Sequence, residues 1–433
     1  MGKYFGTDGI RGIAYEKLNE KLAFRLGQGL KDAIDLNQVV IGYDTRQSSP
    51  MLAQLIASGA LSQGLDVLFI GVCSTPMLAY YSKVNKMIGI MVTASHNPYT
   101  DNGIKVFNQG YKTTKDEERV IESYIDLKEV KSSSFGKFIA LHDFTSTYLK
   151  LYDQFHMHTQ LKIAYDSANG ANYKIAKKVF DHFQLNAIQI GNEPDGLNIN
   201  KDCGSTHIEH LQNYLIENNL DIGFSFDGDG DRLIACDKKR IYDGDQIIYM
   251  IAVNLKQQNL LKNNKVVLTK MSNPGILKAF KMQGIEVILT DVGDKYVSLA
   301  LNEHDAIIGG ESSGHIILRH ILHTGDGLLA AIVLTQILSD ENKDLNMLTK
   351  DLTLYPYLTT NIESNQTEML LLPEVITYLY DIKDSLGEDS LFIVRPSGTE
   401  PLIRITVSHQ DRDIIEKTTH DVIKFLKEME KYL

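Results

Sequence analysis

Three aspartates alternate with glycines in Asp227-Gly228-Asp229-Gly230-Asp231-Arg232, directly after the apolar β-rich stretch 222–226. On an extended segment, residues two apart point the same way, so the three carboxylates converge. The intervening glycines permit a tight backbone path. Three hard oxygens suit Mg²⁺, which keeps other positions for water or a phosphate oxygen. An EF-hand spacing fails, because its glycine position falls on Arg232 and its terminal glutamate on Lys238. A dehalogenase-type aspartate nucleophile would expect Thr or Val where Asp231 stands. The plain alternative, a solvated acidic turn, leaves three like charges crowded together without a cation.

Thr93-Ala94-Ser95-His96-Asn97-Pro98 follows the apolar run 89–92. Ser95 stands at a strand-to-loop junction, where α/β proteins place reactive groups. Its hydroxyl can carry a covalent intermediate if a neighbour manages the proton. Asn97-Pro98 enforces a turn, and Asp101-Asn102-Gly103 reads as a second turn that returns Lys105 to the same region. Gly309-Gly310-Glu311-Ser312-Ser313-Gly314-His315 contains a formal G-x-S-x-G match. A nucleophile elbow needs a helix next, whereas Ile316-Ile317-Leu318 reads as strand, so hydroxyl recognition and proton transfer suit this loop better than serine-hydrolase chemistry. Arg395-Pro396-Ser397-Gly398-Thr399-Glu400-Pro401, with Arg404 beyond it, combines cations, hydroxyls and a glycine-permitted row of N–H groups. That set forms a phosphate cradle or, read plainly, a hairpin turn. Phe5-Gly6-Thr7-Asp8-Gly9-Ile10-Arg11-Gly12 and Gly293-Asp294-Lys295-Tyr296 each bring a cation into a glycine-bearing turn.

The elements that must position these groups alternate between strand and helix. Segments 39–43, 66–70 and 88–93 read as strands around a helix at 51–62. A second cycle runs through 162–165, 173–183, 187–190, 207–218 and 222–226. A third runs through 265–269, 274–282, 286–290, 295–301 and 306–308. Short apolar strands alternating with helices imply three α/β domains. The ending differs: strands at 392–394 and 403–407 flank the Pro/Ser/Gly turn, and a helix follows from 411 to 430, as in a small α+β domain. Residues 115–137 are charged and Ser-rich and read as a loop, an edge element or a linker. Boundaries near 150, 248 and 358 give domains 1–150, 151–248, 249–358 and 359–433.

At 433 residues, with 43% hydrophobic and 23% charged residues, the chain is too apolar for a disordered protein. Acidic residues outnumber basic ones by 55 to 44, and the net charge of −11 argues against a general nucleic-acid binder. No apolar run approaches the roughly 18 residues of a membrane span. The opening residues lack the apolar core of a secretory signal. Cys73, Cys203 and Cys236 are odd in number and form no C-x-x-C pair, which fits reduced buried thiols in a cytoplasmic protein. No Walker A loop is present, and Gly27-x-Gly29 lacks the third glycine of a dinucleotide fingerprint.

Taken together, in order and at domain-scale spacing, these motifs resemble the α-D-phosphohexomutase superfamily over essentially the whole chain. The resemblance implies three related α/β domains with mixed sheets and a C-terminal α+β domain around a central cleft. It implies Ser95 as the phosphoserine, with Ser95, Asp227, Asp229 and Asp231 around Mg²⁺. Arg11, Lys105 and Arg232 would surround the transferring phosphate, and Lys105 and His315 would act as general acid and base. Glu311, Ser313, His315 and Lys295 would meet the sugar; Arg395, Ser397, Gly398, Thr399 and Arg404 would hold the distal phosphate. The opening segment 3–12, the stretch Asp101-Asn102-Gly103-Ile104-Lys105 and Gly398 resemble the members that act on an amino sugar. The implied partner is therefore a small hexosamine phosphate. Its phosphate would move between O6 and O1 through a 1,6-bisphosphate, which also serves as activator, to feed UDP-N-acetylglucosamine synthesis. Ser312 departs from the Gln or Asn more usual in those members, so glucose or mannose phosphates are the nearest alternative substrates. A homodimer also follows from the resemblance. Two further alternatives are an aspartate-nucleophile phosphatase and a non-catalytic sugar-phosphate-binding protein.

Overall fold

The computed structural model describes residues 2–127, 130–132, 134–141, 144–397 and 401–432. The first sheet is built from β1 (Ile10–Ile13), α1 (Glu20–Ala33), β2 (Gln38–Tyr43), α2 (Ser49–Leu61), β3 (Asp66–Val72), α3 (Thr75–Val84), β4 (Ile88–Val92), β5 (Asp101–Asn108), β6 (Tyr111–Lys112), α4 (Lys115–Asp126) and β7 (Phe138–Ala140). Strand order is β1-β5-β4-β2-β3-β7, with β6 on β5. The strands β4, β2, β3 and β7 run parallel, whereas β5 and β1 join antiparallel, so the sheet is mixed. Every residue of β4 is buried, as expected of a strand covered on both faces. Its C-terminal end therefore delivers Ser95 from a rigid element.

The second sheet follows α5 (Thr145–Leu149) and comprises β8 (Ile163–Asp166), α6 (Ile175–His182), β9 (Ala187–Ile190), α7 (Ile208–Glu217), β10 (Ile222–Phe226), β11 (Leu233–Cys236), β12 (Ile241–Tyr242) and α8 (Gly244–Gln257). Its order is β12-β11-β10-β8-β9. Fully buried β10 carries the aspartate loop at its C-terminal end, and β11 returns antiparallel to it. The third sheet is β13 (Lys265–Thr269), α9 (Pro274–Met282), β14 (Glu286–Thr290), α10 (Asp294–Glu303), β15 (Ile308–Gly310), β16 (Ile316–Leu318), α11 (Gly327–Glu341) and α12 (Leu345–Leu348), in the order β14-β13-β15-β16. The chain ends with β17 (Tyr357–Glu363), α13 (Pro373–Leu386), β18 (Leu391–Pro396), β19 (Leu402–Ser408) and α14 (Arg412–Glu430). Here the sheet is antiparallel, ordered β17-β19-β18.

The contacts divide the chain into two compact units. One holds residues 1–270 and 288–348, with the three α/β sheets' functional loops. The other holds 271–287 and 349–433, where Ile403, Ile405 and Val407 of β19 pack with Val375, Ile415, Val422 and Leu426 of the helices. The three cysteines are buried and free.

Two local expectations are corrected. The charged stretch from 115 is helix α4 as far as Asp126. Thr114 and Glu117 form a reciprocal capping box, and Ile121 and Ile125 face the core. Asp101-Asn102-Gly103 is not a turn but the start of β5, paired with Arg11, Gly12 and Ile13 of β1. The turn ends at Asp101, whose N–H donates to Pro98 O, and Asn102 is held by the Ser48 and Ser49 hydroxyls. Tertiary pairing thus overrides the turn propensity of Asp-Asn-Gly.

Candidate active site

Ser95 and the aspartate loop meet where β4 and β10 end. Ser95 has φ 55°, in the left-handed region, and is buried. Its Oγ donates to Asp227 Oδ2 at 2.5 Å and lies 3.4 Å from His96 Nδ1. Gly228 permits this approach: a Cβ there would stand 2.6 Å from Ser95 O. Gly230 turns the loop at φ 76°.

Asp227, Asp229 and Asp231 are all buried, and one ligand atom from each lies within 4.8 Å of the others. Oδ1 of Asp229 and Oδ1 of Asp231 are buried without a hydrogen-bond partner among the described residues. Orphaned buried carboxylate oxygens are costly, and a hard divalent cation would satisfy them. The donor set therefore fits Mg²⁺. Burial, with Asp231 and Asp229 beside it, pushes the Asp227 carboxyl well above the usual range. Asp231 goes the other way: burial opposes, but Lys105, His315 and Arg232 hold it well below.

Cations ring the loop. Lys105 Nζ, delivered by β5, donates to Asp229 Oδ2 at 2.8 Å and Asp231 Oδ2 at 2.9 Å. Burial alone would lower it, yet Asp229, Asp231 and Asp8 drive it well above an ordinary lysine. Arg232 Nε is 3.9 Å from both Asp227 and Asp231. His315 Nδ1 lies 3.6 Å from Asp231 Oδ2 and its Nε2 3.8 Å from Asp294 Oδ2. Against the opposing effect of burial, Asp231 and Asp294 push His315 up to about 9. For His96, burial and the nearby Arg232 and Arg11 push it down to about 3, so it is neutral. Arg11 pairs with Asp8, which also faces Lys105 at 3.6 Å and Lys112 at 3.2 Å. Burial would raise Asp8, but Lys105, Lys112 and Arg11 hold it well below the carboxylate range.

Ser95, Lys105, His315, Arg11, Arg232 and the three aspartates thus form one cluster. Glu311 sits at its edge, where Oε1 accepts from Gly293 N–H at 2.9 Å. Lys295 is already engaged, with its ammonium on Glu118 at 3.0 Å and Thr113 O at 3.1 Å. Ser313 is exposed. Arg395, Ser397 and Arg404 belong to the second unit. Arg395 and Arg404 face each other across β18 and β19, a like-charge pair that an anion would relieve. Arg404 Nε donates to Asn361 Oδ1, and Ser397 N–H to Leu402 O. Gly398 and Thr399 lie outside the described residues.

Sequence reasoning missed Thr75, Asp8, Lys112 and Asp294. Thr75 begins α3, and both its N–H and its Oγ1 donate to Asp229, the latter at 2.5 Å. Asp8 and Lys112 link the opening segment to β6, and Lys112 also pairs with Asp294 at the start of α10. Asp8 and Asp294 stand inside motifs already singled out for their cations; nothing in the local sequence marks Thr75 or Lys112. A cavity of about 560 Å³ lined by Asp153, His156, His158 and His182 shares no residue with this cluster.

Four family models match in chain order: Phosphoglucomutase/phosphomannomutase alpha/beta/alpha domain I at residues 2–131, domain II at 144–241, domain III at 243–355 and the C-terminal domain at 363–425. Curated relatives include a phosphoglucosamine mutase of Carboxydothermus hydrogenoformans, 40% identical over 99% of this chain and 100% of its own. Another, from Bacillus cereus, is 39% identical over 99% of each. Among solved structures, a phosphoglucomutase/phosphomannomutase family protein from Burkholderia thailandensis superposes with a TM-score of 0.83 at 21% identity, over 99% of this chain and 98% of that one. An Aspergillus fumigatus N-acetylphosphoglucosamine mutase, solved with GlcNAc-6P and magnesium, gives 0.66 at 15% identity, over 99% and 96%. At these identities the structural likeness speaks for the fold.

Proposed function

The chain belongs to the phosphoglucosamine mutases of the phosphoglucomutase/phosphomannomutase family, and from that premise we propose that it interconverts D-glucosamine 6-phosphate and D-glucosamine 1-phosphate. The observation that carries the reading is Ser95 Oγ on Asp227, with two more buried aspartates and Lys105 around it.

Ser95 carries the phosphoryl group. The sugar O1 attacks its phosphorus, the new P–O1 bond forms, and the P–Oγ bond of Ser95 breaks. The hydroxyl proton leaves to a general base, and Ser95 Oγ receives one from a general acid. Lys105 and His315, both facing Asp231 Oδ2, take these two roles. The resulting 1,6-bisphosphate turns over, and Ser95 Oγ takes back the group from O6. Glucose or glucosamine 1,6-bisphosphate serves as activator by re-phosphorylating Ser95. Arg11 and Arg232 neutralise charge around the transferring group, since phosphoryl transfer asks chiefly for positioning and charge stabilisation. Asp227, Asp229, Asp231 and the Ser95 phosphate would hold Mg²⁺, which supplies further neutralisation of the phosphoryl oxygens. Glu311, Ser313 and Lys295 contact the sugar, with Lys295 exchanging its present partners for substrate. Arg395, Ser397, Gly398, Thr399 and Arg404 hold the non-reacting phosphate.

The substrate and the three free thiols support a cytoplasmic setting. No helix among the described residues is long and apolar enough to cross a membrane. A homodimer rests on the family resemblance, and sedimentation velocity tests it.

The deciding experiment is ³¹P NMR of the purified protein with Mg²⁺, a trace of glucose 1,6-bisphosphate, and glucosamine, glucose or mannose 6-phosphate in parallel. Rapid conversion of the amino sugar is expected. Preference for glucose or mannose phosphate would tie Ser312 to a change of substrate, and release of inorganic phosphate would mean a phosphatase.

A further inference from the structure

Ser95 is a non-glycine residue held in the left-handed region, which costs free energy unless its surroundings enforce it. Both of its backbone groups lead to one buried ion pair. On the carbonyl side stands Arg46, which follows β2 and is wholly buried. Its Nη2 donates to Ser95 O at 2.8 Å and to Asn97 O at 2.9 Å. Its Nη1 donates to Pro98 O and, at 3.1 Å, to Asp101 O. Its Nε donates to Asp44 Oδ2 at 2.8 Å. All five guanidinium N–H groups are thereby used, four of them on carbonyls of the turn that carries Ser95. On the amide side, Ser95 N–H donates to Thr93 Oγ1 at 2.9 Å, and Thr93 Oγ1 donates to Asp44 Oδ2 at 2.7 Å. Asp44 is itself buried and also accepts from Ser49 Oγ at 2.6 Å.

We propose that Arg46, fixed by Asp44, is a positioning residue for phosphoryl transfer: with Thr93 it clamps both backbone ends of Ser95 and so aims Oγ at Asp227. Neither Arg46 nor Asp44 reaches Oγ itself. Asn200 Nδ2 reinforces the clamp from the second sheet's side, on Ser95 O at 2.8 Å and Asn97 O at 3.1 Å. Only a planar fork of five donors serves this set of acceptors; a lysine keeps the charge but offers three. Losing the guanidinium would take a donor from each of four carbonyls of the buried turn, so the loop and the guanidinium specify one another.

This inference rests on Ser95 as the phosphorylated nucleophile, so the test begins with intact mass and peptide mapping of the wild type. Absence of phosphate on Ser95 there would remove the functional reading itself. With that phosphate present, Arg46→Lys is compared with wild type by circular dichroism, phosphoserine content and steady-state kinetics on glucosamine 6-phosphate. A folded Arg46→Lys is expected to lose about 100-fold in kcat, with KM within roughly threefold, because a misaimed nucleophile harms transfer and not binding. An unchanged kcat, or a loss carried by KM, would overturn the proposal. If Arg46→Lys fails to fold, the Thr93 link decides. Thr93→Val should lose about tenfold in kcat, and Thr93→Ser, which keeps the hydroxyl, should recover most of it. Equal rates in those two variants would overturn the clamp.

Discussion

Ser95 Oγ and Lys105 Nζ approach different carboxylates of the same loop, Asp227 for the hydroxyl and Asp229 and Asp231 for the ammonium. The proposed nucleophile and the proposed proton carrier are thus placed separately around one charge cluster. Ser95→Ala should abolish the phosphoenzyme seen by intact mass; phosphate retained elsewhere on the chain would move the site. Lys105→Met should lower kcat by about 10²–10³-fold with little change in substrate affinity, the scale of a lost general acid or base. Wild-type turnover would remove Lys105 from that role. The orphaned Oδ1 atoms of Asp229 and Asp231 predict that chelation stops turnover and Mg²⁺ restores it. Calorimetric Mg²⁺ titration of Asp229→Asn should show the binding heat lost, independently of activity.

The elements reach the site through close backbone packing. Helices α1 and α2 cross at Gly27 and Gly59, where a Cβ on Gly59 would stand 2.1 Å from Phe24 O and one on Gly27 2.2 Å from Ile56 O. Neither contact is with a flexible side chain, so the helices must separate to admit a methyl group. Gly59→Ala should destabilise by about 2–3 kcal/mol, read as a lower urea midpoint. An unchanged midpoint would mean the helices move apart freely. Helix α4 depends on its ends instead. Thr114→Ala removes the cap and should cost about 1 kcal/mol in the same assay, whereas Thr114→Ser should recover it.

At the scale of the whole first unit, His323 ties α3, the β5–β6 turn and the segment before α11 together. Its Nε2 bonds Gly110 O, its Nδ1 faces Lys83 Nζ at 3.3 Å, and the Tyr111 ring packs on it at 4.4 Å. The imidazole is therefore neutral, donating from Nε2 and accepting at Nδ1. Burial first, and then the Lys83 ammonium, push it down to about 4 from an ordinary value of 6.5. Between those values the unfolded chain holds more protons than the folded one. This contribution is full above pH 6.5 and is lost as pH falls toward 4. His323→Gln keeps an amide donor for Gly110 without a titrating group. The stability difference between wild type and variant should thus shrink or reverse by on the order of 2 kcal/mol between pH 7 and 4.5. A difference constant with pH would exclude His323 as the source.

The sequence alone determined the chemistry and the order of its parts. Asp227-Gly228-Asp229-Gly230-Asp231 after a strand, Ser95 after another, and the β–α alternation are local signals, since strand periodicity and loop composition are properties of neighbouring residues. Helix 274–282 and strand 286–290 were legible to the residue for that reason. Even α4 had its local mark in Thr114-x-x-Glu117, overlooked among the charges. Tertiary structure decided what depends on distant partners. Asp101-Asn102-Gly103 became strand because Ser48, Ser49 and β1 offered better bonds than a turn. Thr75 entered the site through Asp229, 154 residues away, and Asp8 became the hub of three cations. Arg46 reaches a loop some 50 residues on. Hydrogen bonds between buried groups so far apart in sequence leave no periodicity behind, because only folding brings donor and acceptor to the same place.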